Sequence, residues 1–130
     1  METDIGVLSR DEHCCRFASY LLSERNVSRH TLSGYMLDIR QFAECAWPEN
    51  QAETRPWGRT TEADARRFLS DLTKNGASAT TVRRKLAAMR TFFRFLRRER
   101  IVDENPFAPL KGPRKAKTLP KVLSVNDIQR

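Results

Sequence analysis

The sequence predicts an all-α fold, a bundle of four or five helices. Apolar residues recur at helical spacing in four stretches, and each stretch opens with a residue that caps helices. No alternating apolar and polar pattern of useful length is present, so strands are not expected. The chain has 130 residues, of which 39% are hydrophobic, enough for one domain with a modest core.

The first two helices have clear start signals. "SRDE" has the form of a capping box, which predicts that helix one begins at Ser9 with Glu12 three residues later. Ser28 is the expected N-cap of helix two, which Pro48 should end. The polar stretch that follows, 48–59, predicts an irregular loop, which Trp47 and Trp57 could pin to the body.

Helices three and four are separated by a short turn. Thr61 and Asp64 have capping-box spacing at the start of helix three, and Gly76 suits the left-handed position after its end. Ser78 is the expected cap of helix four, which should run to about Arg100. The apolar positions of helix four follow one another at steps of four, three, four and three: Val82, Leu86, Met89, Phe93 and Leu96.

The charge of the chain is concentrated in its second half. Residues 1–77 hold 10 Lys and Arg against 12 Asp and Glu, a net of −2, whereas residues 78–130 hold 14 against 4, a net of +10. A basic half of this kind favours an acidic partner, with nucleic acid the first expectation and an anionic membrane surface the second.

The cysteines and the lack of long apolar stretches limit the class of protein. The three cysteines include an adjacent pair and show no zinc-ligand spacing, which is typical of reduced thiols in a protein without a metal or other cofactor. No signal-peptide pattern and no apolar stretch of membrane-spanning length occurs, so we expect a soluble, cytoplasmic protein.

Helix four carries a wide band of arginines beside its apolar face. At 100° per residue, six arginines and two threonines share the band, and Ala87 lies among them. A merely solvated face should carry acids four residues from the arginines, yet none occurs before Glu99. The pattern therefore predicts contacts with nucleic acid phosphates. The band comprises Arg83, Arg84, Arg90, Arg94, Arg97, Arg98, Thr80 and Thr91.

Helix two offers a second, weaker surface. Arg29, Ser33 and Arg40 share one flank, and His30 lies next to them with Gly34. A glycine inside a helix costs about 1 kcal/mol relative to alanine. Two explanations of Gly34 are equally good: close approach of a partner's backbone, or a crossing of two helices.

The end of the chain predicts a linker. We place the helical domain at 1–105, and we interpret 106–130 as a basic linker followed by the first residues of a further domain. Lys115 and Lys117 lie in this linker and are candidate DNA contacts. Ser124 has the form of a cap for a new helix, so we expect the chain to be the front part of a longer protein.

Four stretches in this order carry a family resemblance: "SRHTLSGYMLDIRQFAECA", "TTEADARRFLSDL", "SATTVRRKLAAMRTFFRFL" and "ENPFAPLKGPRKAKTLPKVLS". Together they resemble the N-terminal, core-binding domain of Xer-type tyrosine recombinases and phage-type integrases. The resemblance implies a SAM-like helical bundle that forms a C-shaped clamp around DNA with a catalytic domain. It also implies that helices two and four approach the major groove, and that recombinase protomers assemble into a synaptic tetramer.

The catalytic residues of that family belong to its second domain and have no counterpart here. The two tyrosines, Tyr20 and Tyr35, fit on helix faces. We therefore expect sequence-specific DNA binding without strand cleavage by this chain, and strand cleavage and rejoining by the full-length parent. The candidate DNA-binding residues are Arg29, His30, Thr31, Ser33, Tyr35, Arg40, Thr80, Thr81, Arg83, Arg84, Arg90, Arg94, Arg97, Lys115 and Lys117.

Two other classes of function fit less well. A stand-alone helix-turn-helix regulator needs a short recognition helix after a three- or four-residue turn, whereas the basic helix here is long and follows "KNGAS". A protein-interaction bundle with an incidental basic face is the third class, and salt-dependent DNA binding would separate it from the first two.

Overall fold

The computed structural model describes residues 11–48 and 55–113, and in these ranges the chain is helical without strands. Four α-helices follow one another: α1, Glu12–Ser23; α2, Arg29–Ala46; α3, Glu62–Lys74; and α4, Ala79–Arg98. One turn of 3₁₀ helix, Trp57–Arg59, precedes α3. The predicted all-α bundle is confirmed. None of the helices in the described part is long and apolar enough to cross a membrane.

The predicted caps of α2, α3 and α4 are confirmed. The Ser28 and Ser78 side chains accept hydrogen bonds from the main-chain N–H three residues on, 3.1 Å away in both cases. Thr61 and Asp64 form the reciprocal capping box, and Gly76 follows α3 with a φ of 89°. These signals act over three or four residues, so local sequence suffices to place them.

The start of α1 differs from the prediction. Its N-cap is Asp11, whereas the predicted cap, Ser9, lies outside the described residues. One oxygen of Asp11 accepts from the main-chain N–H groups of His13 and Cys14. Its other oxygen accepts from the Arg55 main-chain N–H at 2.7 Å and from Trp57 Nε1 at 2.9 Å. Asp11 is favoured as the cap because this buried carboxylate also joins α1 to the segment before α3.

The core is largely aromatic. Phe42 of α2 lies at its centre, with ring centroids 5.3 to 5.9 Å from those of Phe68, Phe93 and Phe107. Trp57 is buried and meets Trp47 edge-on at 5.3 Å. The two tryptophans therefore hold the connection between α2 and α3 against the body, as the sequence predicted. Residues 49–54 of that connection lie outside the described residues.

The packed domain continues past the expected boundary at residue 105. Residues 101–113, here called the return segment, follow α4 and run back along it. Phe107 is fully buried and Leu110 is 2% exposed, both within the main core. The expectation of an extended linker from Pro106 onward is wrong for this part, because its two apolar side chains fill the core beside α2 and α4. The predicted helix start at Ser124 lies outside the described residues.

Candidate nucleic-acid interface

A groove of about 390 Å³ lies between α2 and α4. The side of α2 contributes three predicted DNA contacts, a glycine and an acid: His30, Thr31, Tyr35, Gly34 and Asp38. The facing side of α4 contributes a predicted contact and two small residues: Arg84, Ala87 and Ala88. The structure therefore joins into one concave surface the two separate faces that the sequence predicted.

The glycine in this groove is not there for a helix crossing. A Cβ atom added at Gly34 would meet none of the described atoms within 4 Å. Of the two explanations that the sequence left open, the crossing is therefore wrong. Gly34 instead leaves part of the groove floor without a side chain.

A stripe of residues at steps of three and four runs along the surface of α4 and is here called the outer stripe. On one side it borders α2, and on the other it borders the return segment. Arg94 is exposed and makes no hydrogen bond or ion pair with another residue in 11–48 or 55–113. Its guanidinium thus keeps its donors for an external anion. The outer stripe comprises Arg84, Ala87, Thr91, Arg94 and Arg98.

A buried ion pair supports the groove from below. Asp38 of α2 is 1% exposed and lies 2.6 Å from Nζ of Lys85, which is also buried. Lys85 donates as well to Gln41 Oε1 at 2.7 Å. Arg84 Nη1 lies 3.0 Å from the second oxygen of Asp38, with more than half of its side chain exposed. Two cations therefore meet one carboxylate, and this cluster keeps a positive charge at the rim.

Three predicted arginines bind main-chain carbonyls of the return segment. Arg97 Nε donates to the Asp103 carbonyl at 3.1 Å, and Arg83 Nη1 donates to the Pro113 carbonyl at 3.3 Å. Arg90 is half-buried and donates to the carbonyls of Phe107 and Leu110. The sequence offered these three arginines no acidic partner, and their partners in the structure are neutral. Their partners are main-chain oxygens of the return segment, which a count of acidic residues does not reveal.

A second depression, of about 540 Å³, lies at the end of α4. Arg94 of the outer stripe reaches it, and Arg25 and Arg100 add two exposed guanidiniums. Arg98 stacks over the Tyr20 ring at 4.8 Å and is paired with Glu99 at 3.3 Å. Positive charge therefore continues beyond the groove toward the carboxyl end of α4.

The amino ends of α2 and α4 differ from those of the other helices. Neither has an acid in its first turn, and each is capped by a neutral serine. By contrast, α1 and α3 have acids in their first turns. Acids at a helix start stabilise it by interacting with the positive end of the helix dipole. Their absence leaves that positive end of α2 and α4 available to an anion.

The other predicted contacts have mixed surroundings. Arg29 and Ser33 are exposed on α2, whereas Arg40 is half-buried. Thr81 serves the cap of α4 through Ser78, and Thr80 accepts from Arg83. Lys115 and Lys117 lie outside the described residues.

The sequence did not predict the cluster under the groove, Asp38 and Lys85. A weak signal exists, since Asp38 interrupts an otherwise apolar face of α2 between Met36 and Ile39. Its partner, 47 residues away, is visible only in the folded chain.

Comparison with known proteins identifies the bundle. The family profile described as "Phage integrase, N-terminal SAM-like domain" matches residues 15–100. The chain belongs to this family. The SAM-like domain thus has the all-α architecture and the family that its sequence motifs predicted.

Relatives of the SAM-like domain are tyrosine recombinases of the Xer group. The chain is 35% identical over 112 residues to tyrosine recombinase XerC of Alcanivorax borkumensis, covering 86% of this chain and 34% of that protein. It is 37% identical over 114 residues to XerC of Listeria innocua, covering 88% and 37%. It is 36% identical over 114 residues to XerD of Bradyrhizobium diazoefficiens, covering 88% and 35%.

The chain spans about a third of the length of these relatives. No solved structure matches the SAM-like domain.

Proposed function

We propose that this chain is the DNA-binding N-terminal part of a site-specific tyrosine recombinase. In this proposal, the surface that α2 and α4 form around the groove faces duplex DNA. The observation that carries it is the meeting of His30, Thr31 and Tyr35 with Arg84 in a single groove. Membership of the integrase family and similarity to Xer recombinases support the same assignment.

The outer stripe provides the electrostatic part of the binding. Arg84 and Arg94 face outward along α4, and Arg29 extends the charge across the start of α2. Phosphate contacts fix the position of a protein on the duplex, whereas contacts to base edges read sequence. The polar side chains in the groove, His30 and Thr31, are suited to the second role because they lie between the basic residues.

The groove floor suits the approach of a nucleic acid. Gly34, Ala87 and Ala88 have no side chain larger than a methyl group, so a sugar–phosphate backbone or base edge can come close to the helix axes. The major groove of B-DNA is about 12 Å wide and admits an α-helix. We propose that α4 enters it with the outer stripe foremost.

The chain itself provides no nucleophile for strand cleavage in this proposal. Tyr20 and Tyr35 both pack against Phe17, with ring centroids 6.2 and 5.7 Å away. Cleavage and rejoining are proposed for the longer parent, together with assembly of recombinase protomers on the site.

Fluorescence anisotropy with a labelled duplex at several salt concentrations tests the proposal. If about five phosphates are neutralised, log K falls against log[salt] with a slope of about −4 to −5. Arg94→Gln should weaken binding to all duplexes and reduce the slope by about one. Arg66→Gln, on the exposed side of α3, is the matched control and should change neither. A slope near zero for the unaltered chain would refute DNA binding by this face.

A further inference from the structure

Arg84 differs from the other arginines of the outer stripe because it is bonded to a buried acid. Its Nη1 donates to Oδ2 of Asp38 at 3.0 Å, while Lys85 holds the other oxygen at 2.6 Å. Arg94 of the same stripe has no acidic partner among the described residues. An acid beside a surface that faces DNA weakens the attraction of that surface for phosphates. The presence of Asp38 in this groove is therefore explained better by an effect on Arg84 than by charge alone.

The carboxylate that holds Arg84 has a fixed position. Asp38 is 1% exposed, and Lys85 bonds both to it and to Gln41 Oε1, at 2.7 Å. Asp38 and Gln41 belong to α2, whereas Lys85 belongs to α4, so the carboxylate is fixed relative to both walls of the groove. An arginine bonded at one end to such an acceptor has already lost part of its rotamer freedom, and it loses less when it binds a ligand.

The rest of the guanidinium is available to a ligand. Nε and Nη2 of Arg84 donate to no atom of residues 11–48 or 55–113. These two nitrogens form one edge of the guanidinium and can make two parallel hydrogen bonds. The positions three and four residues further along α4 share a face with Arg84 and hold Ala87 and Ala88, so no long side chain from there covers this edge.

The charge of the acid favours a neutral ligand over a phosphate. A phosphate is attracted by the Arg84 guanidinium and repelled by the Asp38 carboxylate beside it, so the two effects partly cancel. Arg94, without an acid beside it, is the stronger phosphate ligand. O6 and N7 of guanine carry no net charge, so Asp38 repels them far less. A bidentate contact from arginine to these two atoms is the commonest specific contact in the major groove.

We propose that Arg84 reads a guanine in the major groove through Nε and Nη2, and that Asp38 is its positioning residue. The inference rests on the proposed function and extends it from DNA binding to the base that is recognised. On a duplex without that guanine, Arg84 can leave Asp38 for a phosphate, because Lys85 keeps the carboxylate paired. Such a duplex is bound more weakly.

Selection from a pool of duplexes with randomised centres gives the sequences that the full chain prefers, and substitution of single atoms then tests the contact. In a preferred duplex, each guanine is replaced in turn by 7-deazaguanine, which keeps O6 and lacks N7. At one guanine, the replacement should weaken binding of the unaltered chain at least about fivefold. In Arg84→Ala, the same replacement should cost less than about twofold, because the contact is already absent. Arg94→Ala is the matched control, which should weaken binding to both duplexes and leave their ratio of affinities unchanged.

The same ratio of affinities tests Asp38. The double variant Asp38→Ala, Lys85→Met removes one acid and one base, so it keeps the net charge and leaves neither member of the buried pair. A purely structural role of the pair would lower both affinities by the same factor. We expect instead that the ratio falls below about twofold, since Arg84 is no longer held in place beside the base. An unchanged ratio would overturn the positioning role of Asp38.

The results distinguish the failure of this inference from the failure of the proposed function. Absence of salt-dependent duplex binding by the unaltered chain would refute the proposed function, and the inference with it. Salt-dependent binding in which no guanine depends on Arg84 would overturn the inference alone, because Arg84 would then be a phosphate ligand like Arg94.

Discussion

Lys85 of α4 and Asp38 of α2 form a buried ion pair, with 2.6 Å between Nζ and Oδ1. The pair lies below the groove and joins the two helices that form it. Arg84 shares the same carboxylate from the solvent side, at 3.0 Å. The two basic residues therefore differ in role although they are neighbours in sequence. Lys85 holds the helices together, and Arg84 can move to a phosphate while Asp38 stays paired.

Removing one partner of this pair should be costly. Asp38→Ala leaves the Lys85 ammonium buried without its counter-charge, and breaking a buried pair in this way costs about 3–5 kcal/mol of unfolding free energy. The double variant Asp38→Ala, Lys85→Met should recover much of that loss, because no buried charge remains. Urea denaturation of the single and double variants measures both values. A single variant as stable as the unaltered chain would contradict the structural role of the pair.

Arg90→Ala should destabilise the fold, contrary to the expectation for a solvent-facing arginine. The change removes hydrogen bonds from a charged donor to the carbonyls of Phe107 and Leu110, and bonds of this kind contribute about 1.5–3 kcal/mol. Thermal or urea unfolding of Arg90→Ala beside Arg94→Ala gives the comparison. The second variant should stay within about 0.5 kcal/mol of the unaltered chain, since Arg94 is exposed. Equal stability of the two variants would show that the return segment gains nothing from Arg90.

Gly34→Ala should change stability and DNA binding in opposite directions. The new methyl group has room, and alanine is favoured over glycine inside a helix by about 1 kcal/mol, so the free energy of unfolding should rise. The same methyl group occupies the floor of the groove and should weaken duplex binding.

Gly58→Ala is not a suitable control, because its Cβ would lie 3.1 Å from the Ile101 carbonyl. The control is Ala63→Gly on the exposed face of α3, which should lower the stability of the fold and leave DNA binding unchanged. Unchanged DNA affinity in Gly34→Ala would mean that no partner approaches this position closely.

The three thiols should react with a thiol reagent in a fixed order. Cys15 is exposed, Cys45 half-buried and Cys14 buried. Burial and the hydrogen bond to Asp71 raise the pKa of Cys45 to about 11, and burial raises the pKa of Cys14 still further above its usual range. At pH 8, Cys15 should therefore react first and Cys14 last, as a reagent such as Ellman's shows spectroscopically. Rapid reaction of all three thiols in the folded chain would contradict the packing of α1 and α2.

The raised pKa of Cys45 makes the stability of the fold decrease at high pH. The thiol of Cys45 keeps its proton to higher pH in the folded chain than in the unfolded chain, whose ordinary pKa is 9.0. The stability that this proton contributes is full below about pH 9 and is lost as the pH rises toward about 11. Cys45→Ala should show a weaker decline of stability over that window, as chemical denaturation at pH 8, 9.5 and 11 would show.

Incubation with a nicked duplex that traps covalent intermediates should give no protein–DNA adduct. Tyr20 and Tyr35 are half-buried against Phe17, and the proposed function assigns them to packing. Denaturing electrophoresis followed by peptide mapping provides the measurement. An adduct on either tyrosine would refute that assignment.

The sequence by itself determined the four helices and the starts of α2, α3 and α4. Ser28, Ser78 and the Thr61–Asp64 box are visible in sequence because a cap joins residues only three positions apart. The apolar positions of α4 likewise follow from the helical period, and they are buried as predicted. The family motifs depend on the same local order and spacing.

Only the tertiary structure decided which arginines of α4 bind carbonyls of the chain itself. Arg83, Arg90 and Arg94 lie on the same flank by helical periodicity, yet the first two bind carbonyls 30 and 17 residues further along the chain. Main-chain carbonyls occur at every residue, so no sequence pattern marks those that will accept from a distant arginine after folding. The Asp38–Lys85 pair is hidden for the same reason, since 47 residues separate its members. Periodicity places a side chain on a face of its helix, but the neighbouring segments determine whether that face meets solvent, DNA or the chain itself.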